Sequence, residues 1–224
     1  MKATLASLLI LATSLSLINA KDSNFVHLKA RRHCKALAQK TFTFDDNDYD
    51  ASKLSPLLDD KTASAAGIRF AGFYGFKNTE KSGVEAASPP NQIVGGAVNG
   101  LLDGQHSMYV AQGNPQNIDY FDLEGLSFGC TLLTNDALGL LPGVAQPCKM
   151  TMTGYYQGKV IGKRTYNYQP DGQTQSDPQQ VKMTNQVCHH DFKGVDKVVF
   201  TTDNKLLKAV NLDNIIVVPH TCTQ

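Results

Sequence analysis

Residues Cys148–Tyr168 read CKMTMTGYYQGKVIGKRTYNY. Two runs rich in Thr, Tyr, Val and Ile flank the pair Gln157-Gly158. Branched and aromatic residues suit a pleated strand, and a glycine in so short a connection marks a tight turn. The stretch reads as a β-hairpin, and similar signals recur along the chain. Thr41–Phe44 alternates Thr and Phe. GIRFAGFYGF (Gly67–Phe76) carries Ile68, Phe70 and Phe73. QIVGGAV, SMYVAQ, NIDYFDLEGLSF, VDKVVF and AVNLDNIIVV are short runs bounded by polar residues and glycine. Long amphipathic helical windows are missing, so an all-β antiparallel sandwich is expected rather than an α/β sheet. The one helical segment expected is Phe25–Lys40, where Phe25, Leu28 and Leu37 can share a face. Gln169–Gln180 reads as a polar loop.

The chain has 224 residues, 42% of them hydrophobic, which suffices for one core and predicts one domain. A formal net charge of +1 gives no global pull towards nucleic acid or anionic membranes. The charge is uneven along the chain: Lys21–Lys40 is basic and Asp45–Asp60 acidic.

Met1-Lys2, the apolar run ATLASLLILATSLSLI and the small residue Ala20 form a secretory signal over residues 1–20. A membrane anchor fits less well, because the run is short and no basic flank follows it. Residues 21–40 form an N-terminal segment, with Arg31-Arg32 either an exposed basic pair or the end of a propeptide. The sandwich domain is expected over 41–224. Five cysteines follow the signal, so bridges are expected in an oxidising compartment, with one thiol left over. Their spacing does not fit a zinc cage.

Four patterns bear on chemistry. TFTFDDNDYD (Thr41–Asp50) contains Asp46-x-Asp48-x-Asp50, the start of an EF-hand loop. Ala51 and Leu57 stand where that loop needs Gly and Glu, and Pro56 blocks the exiting helix. What survives is a set of hard oxygen donors suited to Ca²⁺, or a solvated acidic loop. GLSFG (Gly125–Gly129) matches the nucleophile elbow of serine esterases, with Asp136 or Asp171 and His189, His190 or His220 as partners in order. Gly139 and Pro142 curtail the helix that should follow it. CHHD (Cys188–Asp191) has metal-friendly residue types, but adjacent histidines on a strand point apart. Phe73, Tyr74, Phe76, Tyr155 and Tyr156 could stack on sugars, although strand alternation sends half of them to the core.

Taken in order, TFDD (Thr43–Asp46), GIRF (Gly67–Phe70), SPPN (Ser88–Asn91) and YFDLEGLSFGC (Tyr120–Cys130) begin a longer pattern. It continues through Cys148–Tyr168, FKGVDKVVF (Phe192–Phe200) and VNLDNIIV (Val210–Val217). The order resembles a loose family of secreted fungal proteins of unknown function. Their scaffold is similar to the jelly-roll, galactose-binding-like sandwich of carbohydrate-binding modules. Family members often carry Trp where Phe70 stands. The resemblance implies a structural Ca²⁺ held by Asp45 and Asp213, with Asp46 as a lesser ligand. It also implies that the first and last strands are neighbours, which makes Cys34–Cys222 a reasonable bridge. Cys130–Cys148 would close the loop between two neighbouring strands, leaving Cys188 as the odd thiol. In this register Ser127 is an ordinary strand residue.

The reading is therefore a secreted, extracellular, monomeric and non-enzymatic binding protein, possessing no nucleic-acid partner and no membrane span after signal cleavage. Its expected ligand is a glycan or a host protein, in the manner of a fungal effector. The alternatives are a serine esterase using Ser127 and a structural cell-wall component.

Overall fold

The computed structural model describes residues 33–49, 55–56, 66–79, 82–96, 105–136, 139–171, 180–188, 190–203 and 208–223. The signal peptide, Arg31-Arg32, Asp50 and His189 lie outside the described residues. Among the described residues the strands are β1 (Cys34–Ala36), β2 (Lys40–Phe42), β3 (Ser55–Pro56), β4 (Ile68–Ala71), β5 (Tyr74–Lys77), β6 (Val84–Glu85), β7 (Asn91–Gly95) and β8 (Ser107–Val110). They continue with β9 (Tyr120–Asp136), β10 (Gly139–Ala145), β11 (Cys148–Tyr156), β12 (Lys159–Tyr168), β13 (Val181–Lys182), β14 (Thr184–Val187), β15 (Lys197–Thr202) and β16 (Lys208–Cys222).

One sheet has the order β10-β9-β16-β7-β5-β3, with β1 and β2 also on β16 and β14 on β9. The other has the order β12-β11-β15-β8-β4. Pairing within both sheets is antiparallel, and a small parallel pair, β6 with β13, stands apart. The expected sandwich is thus present. Its hairpin β11–β12 turns on Gln157 (φ 50°) and Gly158 (φ 74°), two left-handed residues as a two-residue hairpin loop requires. GIRFAGFYGF becomes two strands in different sheets: β4 joins the five-stranded sheet, and β5 the larger one. Gly72, at φ 72°, lets the chain change sheets between them.

Alternation along the strands builds the core. Phe121, Leu123, Phe128, Leu212, Ile215 and Val217 of the large sheet share one buried cluster with Ile68, Phe70, Met108, Met150, Met152 and Phe200 of the other. Phe70 is the hub. Its ring meets Phe42, Phe44 and Phe73 edge-on at 5.7, 5.4 and 6.3 Å. Edge-to-face contact sets the positive rim of one ring on the negative face of the next.

The two disulfides are Cys34–Cys222 and Cys130–Cys148. The first joins directly opposed residues of β1 and β16, and the second links β9 to β11, one strand from each sheet. Cys188 is a buried free thiol.

The expected Phe25–Lys40 helix is not what the described part of that segment forms. Cys34–Ala36 is a strand, Leu37 N–H donates to Pro219 O at 2.8 Å, and the disulfide locks the register. Pairing with the long β16 satisfies the backbone groups of these residues, and this outweighs a local helical preference. His33–Gln224 forms one compact unit.

Candidate functional site

Three segments converge on Asp213. It lies in β16 at an irregularity in the pairing with β9, and it is fully buried. Its carboxylate accepts from Ser88 N–H at 2.7 Å, from Ser88 Oγ at 3.3 Å and from Asn214 N–H at 2.7 Å. Burial pushes its pKa up to about 7 against these hydrogen bonds, and the negative charge of Asp45 adds to the rise. Asp45 in turn accepts from Asn91 N–H at 3.1 Å. The Asn91 side-chain amide donates to Phe44 O and Asn47 O at 2.9 and 2.7 Å, which ties the acidic turn to the start of β7. Each acid sits beside a left-handed residue, Phe44 at φ 62° and Asn214 at φ 47°. Positive φ is costly for a bulky residue and is found where surrounding structure imposes it.

Asp45 and Asp213 are thus brought into electrostatic range of each other. Asp46 lies with Asp48 and Lys77 along an open cleft of about 280 Å³ that Asp45 also borders. Among the described residues no three His, Cys, Asp or Glu side chains form a metal-holding group, and neither Asp45 nor Asp213 has a cationic partner. The chemistry of the donors nevertheless suits a hard cation: two carboxylates lie within electrostatic range of each other without a counter-charge. Asn91, 1% exposed, leaves its Oδ1 unbonded among the described residues. Ser88 and Asn91 lie in SPPN, and their role depends on a pairing between remote segments that no local pattern announces.

Ser127 lies inside β9, 3% exposed, and donates to Asn185 Oδ1 of β14 at 2.6 Å. A nucleophile elbow is a sharp strand-to-helix turn, whereas Gly125–Gly129 sits within one strand that runs on to Asp136. Of the expected partners, His220 packs on Tyr120 with ring centroids 4.5 Å apart and meets Asp122 at 3.2 Å. In CHHD, Cys188 is buried with its thiol pKa pushed up by that burial, and Asp191 pairs with Arg164 at 2.8 Å. Phe73 and Phe76 are buried in the core and offer no platform, while Tyr155 is half-buried.

A cleft of about 650 Å³ opens on the outer face of the five-stranded sheet. Ala71, Ser107, Tyr109 and Lys197 line it from the strands, and Gln112 and Asn114 from the loop after β8. That loop is internally knitted. The buried Asn114 side chain donates to Ala111 O and Ile118 O at 3.0 Å each and accepts from Ile118 N–H at 2.8 Å. Gly67 (φ 71°) passes so close that a Cβ there would lie 2.9 Å from the Asn114 side chain. The cleft wall is therefore pre-formed. Tyr109 and Lys197 were missed from sequence. A polar residue inside an apolar run marks an outward position, but only the register shows that these two stand side by side.

No family model and no curated protein matches the chain. Among solved structures, a DUF4465 family protein from Bacteroides caccae aligns over 82% of this chain and 100% of its own, with 14% identity and a TM-score of 0.49. An arabinose-bound α-L-arabinofuranosidase aligns over 80% of this chain with 11% identity and a TM-score of 0.37. An exo-β-agarase aligns over 81% with 12% identity and a TM-score of 0.36. The chain spans about a quarter of the length of these last two.

Proposed function

We propose that this is a secreted, non-catalytic binding protein of the fungal kind that its sequence resembles, and that it takes a glycan on the outer face of the five-stranded sheet. One observation carries the reading: a pre-formed cleft that sets the Tyr109 ring among hydroxyl, amide, carboxylate and ammonium groups. A phenol ring offers an apolar face for a sugar ring, and the polar groups beside it can bond to hydroxyls. Two disulfides fit an extracellular home. Asp45, Asp213 and the Asn91 amide oxygen would hold a structural Ca²⁺. The ion would neutralise the two carboxylates and tie the acidic turn to β16, adding its binding free energy to folding.

The test is a glycan array and a wall pull-down with wild type and Tyr109→Ala. Retention of a glycan by the wild type and its loss in the variant are expected. Retention in the wall without any soluble glycan binding would favour the structural-component reading. Labelling of Ser127 by a fluorophosphonate probe would favour the esterase.

A further inference from the structure

The strand register extends the cleft into a row. Arg69 of β4 stands opposite Tyr109 of β8, Tyr109 opposite Lys197 of β15, and Lys197 opposite Tyr155 of β11. Directly opposed residues of antiparallel strands share a face. The row therefore alternates cation and aromatic ring across four strands. All four side chains are exposed or half-buried. The two tyrosines are two strands apart, roughly 10 Å. Parallel rows on the same face carry Lys163, Thr153 and the buried Val199 and Ser107, then Thr165, Thr151 and Thr201, with Lys149 opposite Asn167 beyond them. The strand positions of this face hold four bases, Arg69, Lys149, Lys163 and Lys197, and no acid. None of the four has an acidic partner among the described residues.

Two acids, Asp119 and Asp196, also line the cleft, and each has a carboxylate oxygen that accepts from a backbone N–H. Asp196 accepts from Gln157 N–H, and Asp119 from Cys222 N–H at 2.6 Å. The strand rows of this face thus carry four positive charges, set beside the two cleft carboxylates. Low-dielectric walls around an open cleft focus such a field on a ligand.

We infer that the ligand is an acidic polysaccharide, recognised by Arg69 and Lys197 pairing with its carboxylate or sulfate groups while Tyr109 and Tyr155 stack on its sugar rings. The proposal rests on glycan binding at this face and adds the charge of the ligand. An acidic chain supplies anions at regular spacing along a ribbon of rings. That matches alternating cations and aromatics better than a neutral glycan would.

The test uses the secreted protein and three probes: polygalacturonate, its methyl ester and a sulfated galactan, read by affinity electrophoresis and calorimetry. Binding to at least one acidic probe, at least about tenfold tighter than to the ester, is expected. It should weaken as salt rises from about 0.05 M to about 0.5 M, because exposed charge pairs are screened. Arg69→Gln with Lys197→Gln should remove that preference, and Tyr109→Ala with Tyr155→Ala should weaken the acidic and neutral chains alike. Preference for the carboxylated or for the sulfated probe identifies the anion. Equal binding to the ester and the acid, or a preference that survives loss of both bases, overturns the inference and leaves glycan binding standing. No binding to any glycan overturns both. Equal binding to DNA or to anionic vesicles, unchanged by the tyrosine substitutions, also overturns it. These positions lie on the open face, so unchanged melting temperatures confirm that each variant is folded.

Discussion

Asp213 offers the sharpest quantitative test. The perturbation is pH, in the presence of a strong chelator, with Asp213→Asn as the reference. In the fold the carboxyl has a pKa of about 7, against 3.8 for its ordinary value. A raised carboxylate binds its proton more tightly folded than unfolded, so its contribution to stability is complete below the unfolded pKa and is lost as pH rises through the folded one. Between about pH 4.5 and about pH 8 the loss integrates to about 3 kcal/mol. For a fold of this size that is roughly 6–12 °C of melting temperature. Asparagine keeps one oxygen acceptor and cannot ionise. Thermal melts of both proteins across this range should therefore diverge, with the wild type falling relative to the variant as pH rises. Adding millimolar Ca²⁺ near pH 8 should restore the wild type and leave Asp213→Asn unchanged. Parallel pH profiles in chelator would refute the charge argument. Diverging profiles with no response to Ca²⁺ would leave a proton site and discard the ion.

Phe70→Ala should cost about 3–5 kcal/mol in a denaturant titration, because it removes the ring shared by Phe42, Phe44 and Phe73; a cost below about 1 kcal/mol would contradict its place as the hub. Cys188 is buried, its thiol pKa is raised, and Tyr166 donates to it at 3.6 Å, so a maleimide should leave the native protein unlabelled near pH 8 and label one thiol in denaturant; rapid native labelling would contradict the burial. Asn114→Ala removes three hydrogen bonds within the cleft loop and should speed amide exchange over residues 111–118, at a cost of about 1–3 kcal/mol; unchanged exchange would mean that the loop is held by something else.

Local chemistry was legible and remote pairing was not. The hairpin at Gln157-Gly158 and the strands around it follow from composition alone, because branched and aromatic residues and a glycine turn act over a few positions. Periodicity could not say that Gly67–Phe76 divides between two sheets, since both halves look equally like strands. The segment before Thr41 looked helical because nothing within it announces the β16 edge to which Cys34–Ala36 pairs. The meeting of Asp45 with Asp213 came through resemblance, and Ser88 and Asn91 became visible only in space. For the cleft, each outward residue was visible as a polar interruption, but the alternation of Arg69, Tyr109, Lys197 and Tyr155 is a property of strand order across the sheet.

The Cys34–Cys222 bridge has a mechanical consequence. It joins residues 188 apart that stand opposite each other at one margin of the large sheet. A pull applied through chain outside this pair travels through the sulfurs and bypasses the hydrogen-bonded ladders between. Reduction would expose a hidden length of roughly 650 Å. While oxidised, the sandwich is a short inextensible link, able to carry tension between whatever holds its two sides without spending its fold.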